Sequence, residues 1–159
     1  MAEPVALNLH ACGIVLATTG VVVVGPSGSG KSRLCHLLLE RWQQDQRYAR
    51  WVADDRLDVT PTGLRLLAKA PGSIRGLAER RFSGIEAVDC QTCMVVDMVV
   101  RLIANDQLER MPESHMETLF DGAPAVPGLL VPQSNLDLAV ELVVAQLSKF
   151  SELSPSDAD

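Results

Sequence analysis

Residues 25–32 read Gly25-Pro26-Ser27-Gly28-Ser29-Gly30-Lys31-Ser32 and satisfy G-x-x-x-x-G-K-[ST] at every fixed position. The chemistry this pattern serves is phosphate binding. Glycines let backbone N–H groups close around an anion, the lysine reaches the β/γ-phosphates, and the serine hydroxyl sits on Mg2+. On this reading Gly25, Ser27, Gly28, Ser29, Gly30, Lys31 and Ser32 hold a nucleotide or another polyphosphate, ATP being the expected cofactor, and Ser32 is also a metal ligand. Phosphoryl transfer needs two things more: a seat for the divalent metal and a group that orients or deprotonates the attacking atom. Asp54-Asp55 offers both. Successive side chains at a strand end point opposite ways, so one carboxylate can hold a metal water while the other faces the nucleophile. Close carboxylates also push their pKa values apart, which makes the less metal-engaged one the better proton acceptor. The bland alternative is a turn, which Asp favours.

Other titratable residues are weaker on their own. His10 reads as a core or surface histidine as readily as a catalytic one. Glu79 reads as a solvated charge or the partner of a nearby arginine, and His36 and His115 have no context that gives them a role. Arg75, Arg80 and Arg81 form a local basic patch suited to phosphate or to an acidic protein face. Cys90 and Cys93 make a C-x2-C, but no second pair has finger-like spacing. They are expected to be small, buried and reduced at the start of a strand.

The elements that must position these groups follow from periodicity. Val21, Val22, Val23 and Val24 form a strand that ends at the glycine-rich loop, and Leu34, Leu37, Leu38 and Trp42 mark the helix that begins after it. Such a strand–loop–helix aims its backbone N–H groups and the helix N-terminus at one anion. Residues 11–17 and 20–24, joined by Thr18-Thr19-Gly20, predict a hairpin ahead of the loop, with His10 at the start of its leading strand. Residues 50–53 predict a strand beside the loop-bearing strand, and 57–59 with 64–68 a second hairpin around Pro61-Thr62-Gly63. Residues 69–84 read as a loop-rich, phosphate-facing region. Strands are expected at 95–103, 116–120 and 129–131, and a helix at 136–147 with Ser134 or Asn135 as its cap. The expected class is α/β, a single P-loop-containing domain over residues 1–150, with a strand-rich mixed sheet around the P-loop helix and a C-terminal helix. Residues 151–159 are a Ser/Asp/Pro-rich tail expected to be disordered.

Composition narrows the partners. With 159 residues the chain has room for one core and is expected to be a complete small protein. A net charge of −6 and a pI of about 5.0 argue against nucleic acid as the main partner. No apolar run approaches the roughly 18 residues of a membrane span. Residues 1–9 lack the pattern of a signal peptide, so the cytoplasm is the expected location.

Taken together, His10 on a leading strand, the loop at 25–32, Asp54-Asp55 about twenty residues beyond, and Leu77-Ala78-Glu79-Arg80-Arg81-Phe82-Ser83-Gly84-Ile85 resemble the catalytic domain of HPr kinase/phosphorylase. In that family the last segment reads E-x-R-G-x-G-I, and Glu79, Arg81, Gly84 and Ile85 match it. Glu109-Arg110-Met111-Pro112-Glu113 and residues 132–141 fit more loosely. The resemblance implies phosphorylation of a serine on HPr, a phosphocarrier protein of the phosphotransferase system. It also implies removal of that phosphate by phosphorolysis, which yields pyrophosphate. By position, Asp55 would be the base and, in reverse, the acid. Asp54, Ser32 and Glu79 would handle Mg2+ or its waters, while His10 and Arg81 would act at the reacting phosphoryl group. A homo-oligomer of unspecified size is implied, in a short form without the N-terminal domain of longer members. Two departures stand out: Phe82 replaces the first signature glycine, and Gln133-Ser134-Asn135 replaces G-R-N.

Two other readings compete. A small-molecule P-loop kinase would carry an arginine-rich lid between helices in its C-terminal half, where this chain is strand-rich. A catalytically silent nucleotide-binding module would have less reason to keep Lys31, Ser32, Asp54 and Asp55 together.

Overall fold

The structure, a computed structural model, describes residues 5–72, 77–80, 84–87, 90–108 and 115–153, with the backbone alone described at 77–80, 84–87 and 151–153. In chain order the elements are β1 (Leu7–Leu9), β2 (Cys12–Leu16), β3 (Thr19–Val24), α1 (Lys31–Gln44), β4 (Ala49–Ala53), β5 (Leu57–Thr62), β6 (Arg65–Lys69), β7 (Leu77–Arg80) and β8 (Gly84–Ala87). There follow β9 (Cys93–Val95), β10 (Met98–Ile103), a 3-10 turn (Asn105–Gln107), β11 (His115–Glu117), β12 (Val126–Pro132) and α2 (Leu136–Leu153).

These elements stack in three layers. The central one is a six-stranded sheet ordered β11-β12-β10-β3-β2-β4, parallel from β12 through β10 to β3 and antiparallel at β2, β4 and β11. Alternate residues of its buried strands point to opposite faces, so the sheet feeds two cores. Ile14, Val21, Val23, Val100 and Leu102 meet Leu34, Leu38 and Trp42 of α1 and Val140, Val143 and Leu147 of α2. Val15, Val22, Val24 and Val99 meet Leu57, Val59, Leu66, Ala68 and Met94 of a four-stranded antiparallel sheet ordered β1-β5-β6-β9. The result is a mixed α/β domain, rich in strands, with a C-terminal helix. Among the described residues, no helix is long and apolar enough to cross a membrane.

Several boundaries differ from the sequence reading for identifiable reasons. The expected strand at 95–103 is two strands in different sheets. The chain changes layer at Asp97, whose carboxylate accepts the Gly20 N–H (2.8 Å) while its own N–H donates to the Gly20 carbonyl (2.8 Å). Gly20 itself lies inside β3 rather than in the turn. The left-handed residue of that hairpin is Ala17, with φ 56°. The region read as loop over 69–84 contains β7, which pairs antiparallel with β8; residues 73–76 and 81–83 lie outside the described residues. The C-terminal helix continues through Leu153 and so enters the expected tail, whose residues 154–159 lie outside the described set. Asn135 caps that helix, its Oδ1 accepting the Leu138 N–H at 3.1 Å.

Candidate functional site

Three chain segments meet at one end of the six-stranded sheet. β3 runs out there into the glycine-rich loop, β4 runs the same way and ends before Asp54, and β2, antiparallel to both, begins there at Cys12. The expectation that β4 lies directly beside β3 is corrected, because β2 intervenes. The hairpin turn at residues 17–18 pairs β2 with β3 first, so β4 must add to the far side of β2. At two interstrand spacings, β4 stands about 10 Å from β3, a gap that side chains must close.

A bulge decides which way they point. Gly13 pairs with Ala53 and Ile14 with Trp51, so Val52 is the extra residue. Val52 and Ala53 therefore both face the four-stranded sheet, while Trp51 faces the helices. Strict alternation would turn Asp54 away from α1. The one-residue shift turns it toward α1 instead, and Ser32 Oγ donates to Asp54 Oδ1 at 2.6 Å. The thiol of Cys12 donates to the same oxygen at 3.2 Å. Asp54 is buried, at 7% exposure.

Asp55 turns the other way. Its φ is 68°, and the Arg56 N–H donates to the Asp54 carbonyl at 2.9 Å across it. This is the rare, strained form of γ-turn, which an L-residue adopts at some cost. The turn sends the Asp55 carboxylate to His10, with Oδ1 3.0 Å from Nε2, and both side chains are about half exposed (52% and 56%). His10 lies between β1 and β2 rather than on the leading strand of the hairpin. The two carboxylates thus have separate partners, and it is the bulge and the turn, not strand alternation, that separate them.

In the loop, the Ser29 N–H donates to the Pro26 carbonyl at 3.0 Å, closing a turn that holds Gly28 at φ 78°. Gly30, at φ 100°, leads directly into α1, and the Leu34 N–H donates to its carbonyl at 2.8 Å. Lys31 is buried, and its Nζ donates to the carbonyls of Gly25 (3.1 Å) and Pro26 (3.2 Å). Ser29 Oγ is buried without a hydrogen-bond partner among the described residues. The start of α1 has neither a side-chain cap nor an acidic residue in its first turn. Its N–H groups and the positive end of the helix dipole are therefore left to whatever enters the loop.

The backbone of Glu79 is on β7, parts of which come within 8 Å of α1 between Cα atoms. The Glu79 side chain and Arg81 lie outside the described residues, as do Arg75 and residues 109–114. Among the described residues no three His, Cys, Asp or Glu side chains gather as a metal site. The burial expected of the C-x2-C pair is corrected, since Cys90 is half-buried and Cys93 exposed. Cys93 starts β9 at the edge of its sheet, and Cys90 makes a lone bridge to Trp51. Sequence reasoning missed Cys12. Its place two residues after His10, at the start of the strand between β3 and β4, was the available signal.

No protein-family model matches the chain, and no curated protein does. Among solved structures, the HPr(Ser) kinase/phosphatase from Coxiella burnetii matches with a TM-score of 0.73. The match covers 91% of this chain and 99% of that one at 22% identity. The chain shares this fold. At that level of identity the likeness fixes the arrangement of sheets and helices, and the chemistry has to be argued from the side chains above.

Proposed function

We propose that the chain is an ATP- and Mg2+-dependent protein-serine kinase that acts on an HPr-like phosphocarrier of the phosphotransferase system, and that it removes the phosphate again by phosphorolysis. The observation that carries this reading is the meeting of two pairs, Ser32 with Asp54 and His10 with Asp55, beside the glycine-rich loop. A structural turn alone would not require a buried carboxylate on the first serine of the helix. The fold of the Coxiella protein supports the choice of acceptor class.

The residues fit both ATP and the metal. A phosphate group in the loop would satisfy the orphaned Ser29 hydroxyl, the uncapped start of α1 and the Lys31 ammonium, which now rests on carbonyls. The Ser32 hydroxyl and Asp54 carboxylate are hard oxygen donors of the kind Mg2+ takes, with Glu79 as a further ligand. When bound, Mg2+ neutralises charge on the phosphate oxygens. Lys31 binds the phosphates and keeps them in line. Asp55 accepts the proton of the attacking serine hydroxyl, and His10 holds that carboxylate in place. In phosphorolysis, inorganic phosphate attacks the phosphoserine phosphorus, the bond from phosphorus to the serine oxygen breaks, protonated Asp55 returns the proton to that oxygen, and pyrophosphate leaves. Arg81 meets the transferred group, and the active form is a homo-oligomer. The half-exposed setting of Asp55 and His10 suits a serine presented on a protein surface better than an engulfed small molecule. Incubation with γ-labelled ATP, Mg2+ and a purified HPr-like phosphocarrier should yield acid-stable phosphoserine. Efficient labelling of a sugar or nucleoside, with every such phosphocarrier left untouched, would overturn the reading.

A further inference from the structure

The sulfur of Cys12 sits in the middle of the site with no part in the chemistry so far described. It is completely buried. It donates to Asp54 Oδ1 (3.2 Å), accepts the Asp55 N–H (3.4 Å) and lies 3.8 Å from Ser32 Oγ. Cys35, on the next turn of α1 after Ser32, belongs to the same buried cluster. Burial above all, and then Cys12, push the Cys35 thiol well above the usual range. One side chain on β2 thereby ties α1 to the turn at the end of β4.

A buried cysteine ordinarily behaves as a small hydrophobe. Valine would fill such a strand position with a better intrinsic preference for it. What valine could not do is accept the N–H of a residue held at φ 68° or donate to the neighbouring carboxylate. The strained turn persists only where its surroundings over-determine it, and here the sulfur touches both residues of the pair.

We propose that Cys12 is a positioning residue. Its thiol clasps the Asp54-Asp55 turn, keeping Asp54 on Ser32 and leaving Asp55 aimed at His10. The catalytic part of this inference rests on the kinase reading; the clasp itself does not.

Three substitutions in the full chain separate polarity from packing. Cys12→Val fills the space without donor or acceptor, Cys12→Ser keeps both in less volume, and Cys12→Ala removes both. The first readout is hydrogen exchange of the Asp55 amide, followed by NMR in nucleotide-free protein. Exchange should be at least about tenfold faster in the Val and Ala variants, while Ser stays within about threefold of wild type. The second readout is transfer to the phosphocarrier. There kcat should fall roughly tenfold or more for Val and Ala, with the KM for ATP within about twofold, because a displaced catalytic group loses rate rather than binding. Serine should restore most of kcat. Wild-type exchange and kcat in Cys12→Val, with Cys12→Ser impaired, would mean that the sulfur merely fills space, and would overturn the proposal. Should Cys12→Ala fail to fold, the Val and Ser pair carries the same contrast. Should the wild type transfer phosphate to no phosphocarrier, the kinase reading fails, and the order of amide exchange still decides the role of Cys12.

Discussion

A buried ammonium that rests on two backbone carbonyls, as Lys31 does on Gly25 and Pro26, is a cation held ready for an anion. Lys31→Ala should therefore lower phosphoryl transfer by about 10^2 or more, the scale for a preorganised electrostatic group. Its circular dichroism should stay that of the wild type. Near-normal turnover in the folded variant would remove Lys31 from the reaction. The two aspartates should separate kinetically because their partners differ. Asp55→Asn keeps the turn but loses the proton acceptor, so single-turnover transfer should slow by roughly 10^2 with ATP affinity kept. Asp54→Asn weakens the oxygen site it shares with Ser32, so the Mg2+ concentration for half-maximal rate should rise. Wild-type kinetics in both variants would return the pair to a structural turn.

The strands away from the loop carry a second charged network, built across β12. Arg101 on β10 donates from Nε and Nη2 to the two carboxylate oxygens of Glu117 on β11, each at 2.8 Å, and His115 Nε2 stands 2.8 Å from Oε1. The Arg101 hydrogen bonds above all, helped by His115, outweigh burial and hold the Glu117 carboxyl below its usual range. A carboxylate whose pKa is lowered by folding contributes stability that is present above the unfolded value. That contribution is lost as pH falls through the folded value. Denaturation midpoints of the wild type should accordingly decline on acidification below the ordinary glutamate range. Glu117→Gln should start about 1–3 kcal/mol lower at neutral pH and flatten that decline. The network also explains Gly128 of β12. A Cβ there would stand 2.6 Å from Glu117 Cγ and 2.8 Å from His115 Cδ2, so the strand needs bare backbone beneath the bridge.

Across the whole molecule, the two sheets are joined where Gly20 meets Val95 and the segment between β9 and β10. A Cβ on Gly20 would fall 1.9 Å from the carbonyl oxygen of Val95, in backbone that cannot swing away. Gly20→Ala should thus force the two sheets apart and destabilise the fold by about 3 kcal/mol, at the upper end of overpacking costs. Urea unfolding checks this: a lowered midpoint with one cooperative transition is expected. A variant as stable as the wild type would show that the sheets slide freely there. The loop is tied to the same framework from the other side, because Leu136 at the start of α2 packs against Gly30.

The local structure around the glycine-rich loop was legible in the sequence because it is written in contiguous residues. The valine run, the glycine-rich loop and the leucines of α1 specify strand, turn and helix by period and by glycine alone. The same holds for α2, whose face at 136, 140, 143, 144 and 147 is the one that packs on the sheet. The carboxylate pair could be picked out for the same reason. What the sequence could not carry was anything that depends on strands paired at a distance. The bulge at Val52 shifts the side-chain phase by one residue without changing a single residue type, and that shift alone puts Asp54 on Ser32. Gly20 read as a turn residue because its reason for being glycine is the carbonyl of Val95, seventy-five positions away in the chain. Cys12 drew no role from the sequence because its partners at 32, 54 and 55 come together only when β2 inserts between β3 and β4. Periodicity reports which face a residue is on; only the packed tertiary structure decides what waits for it there.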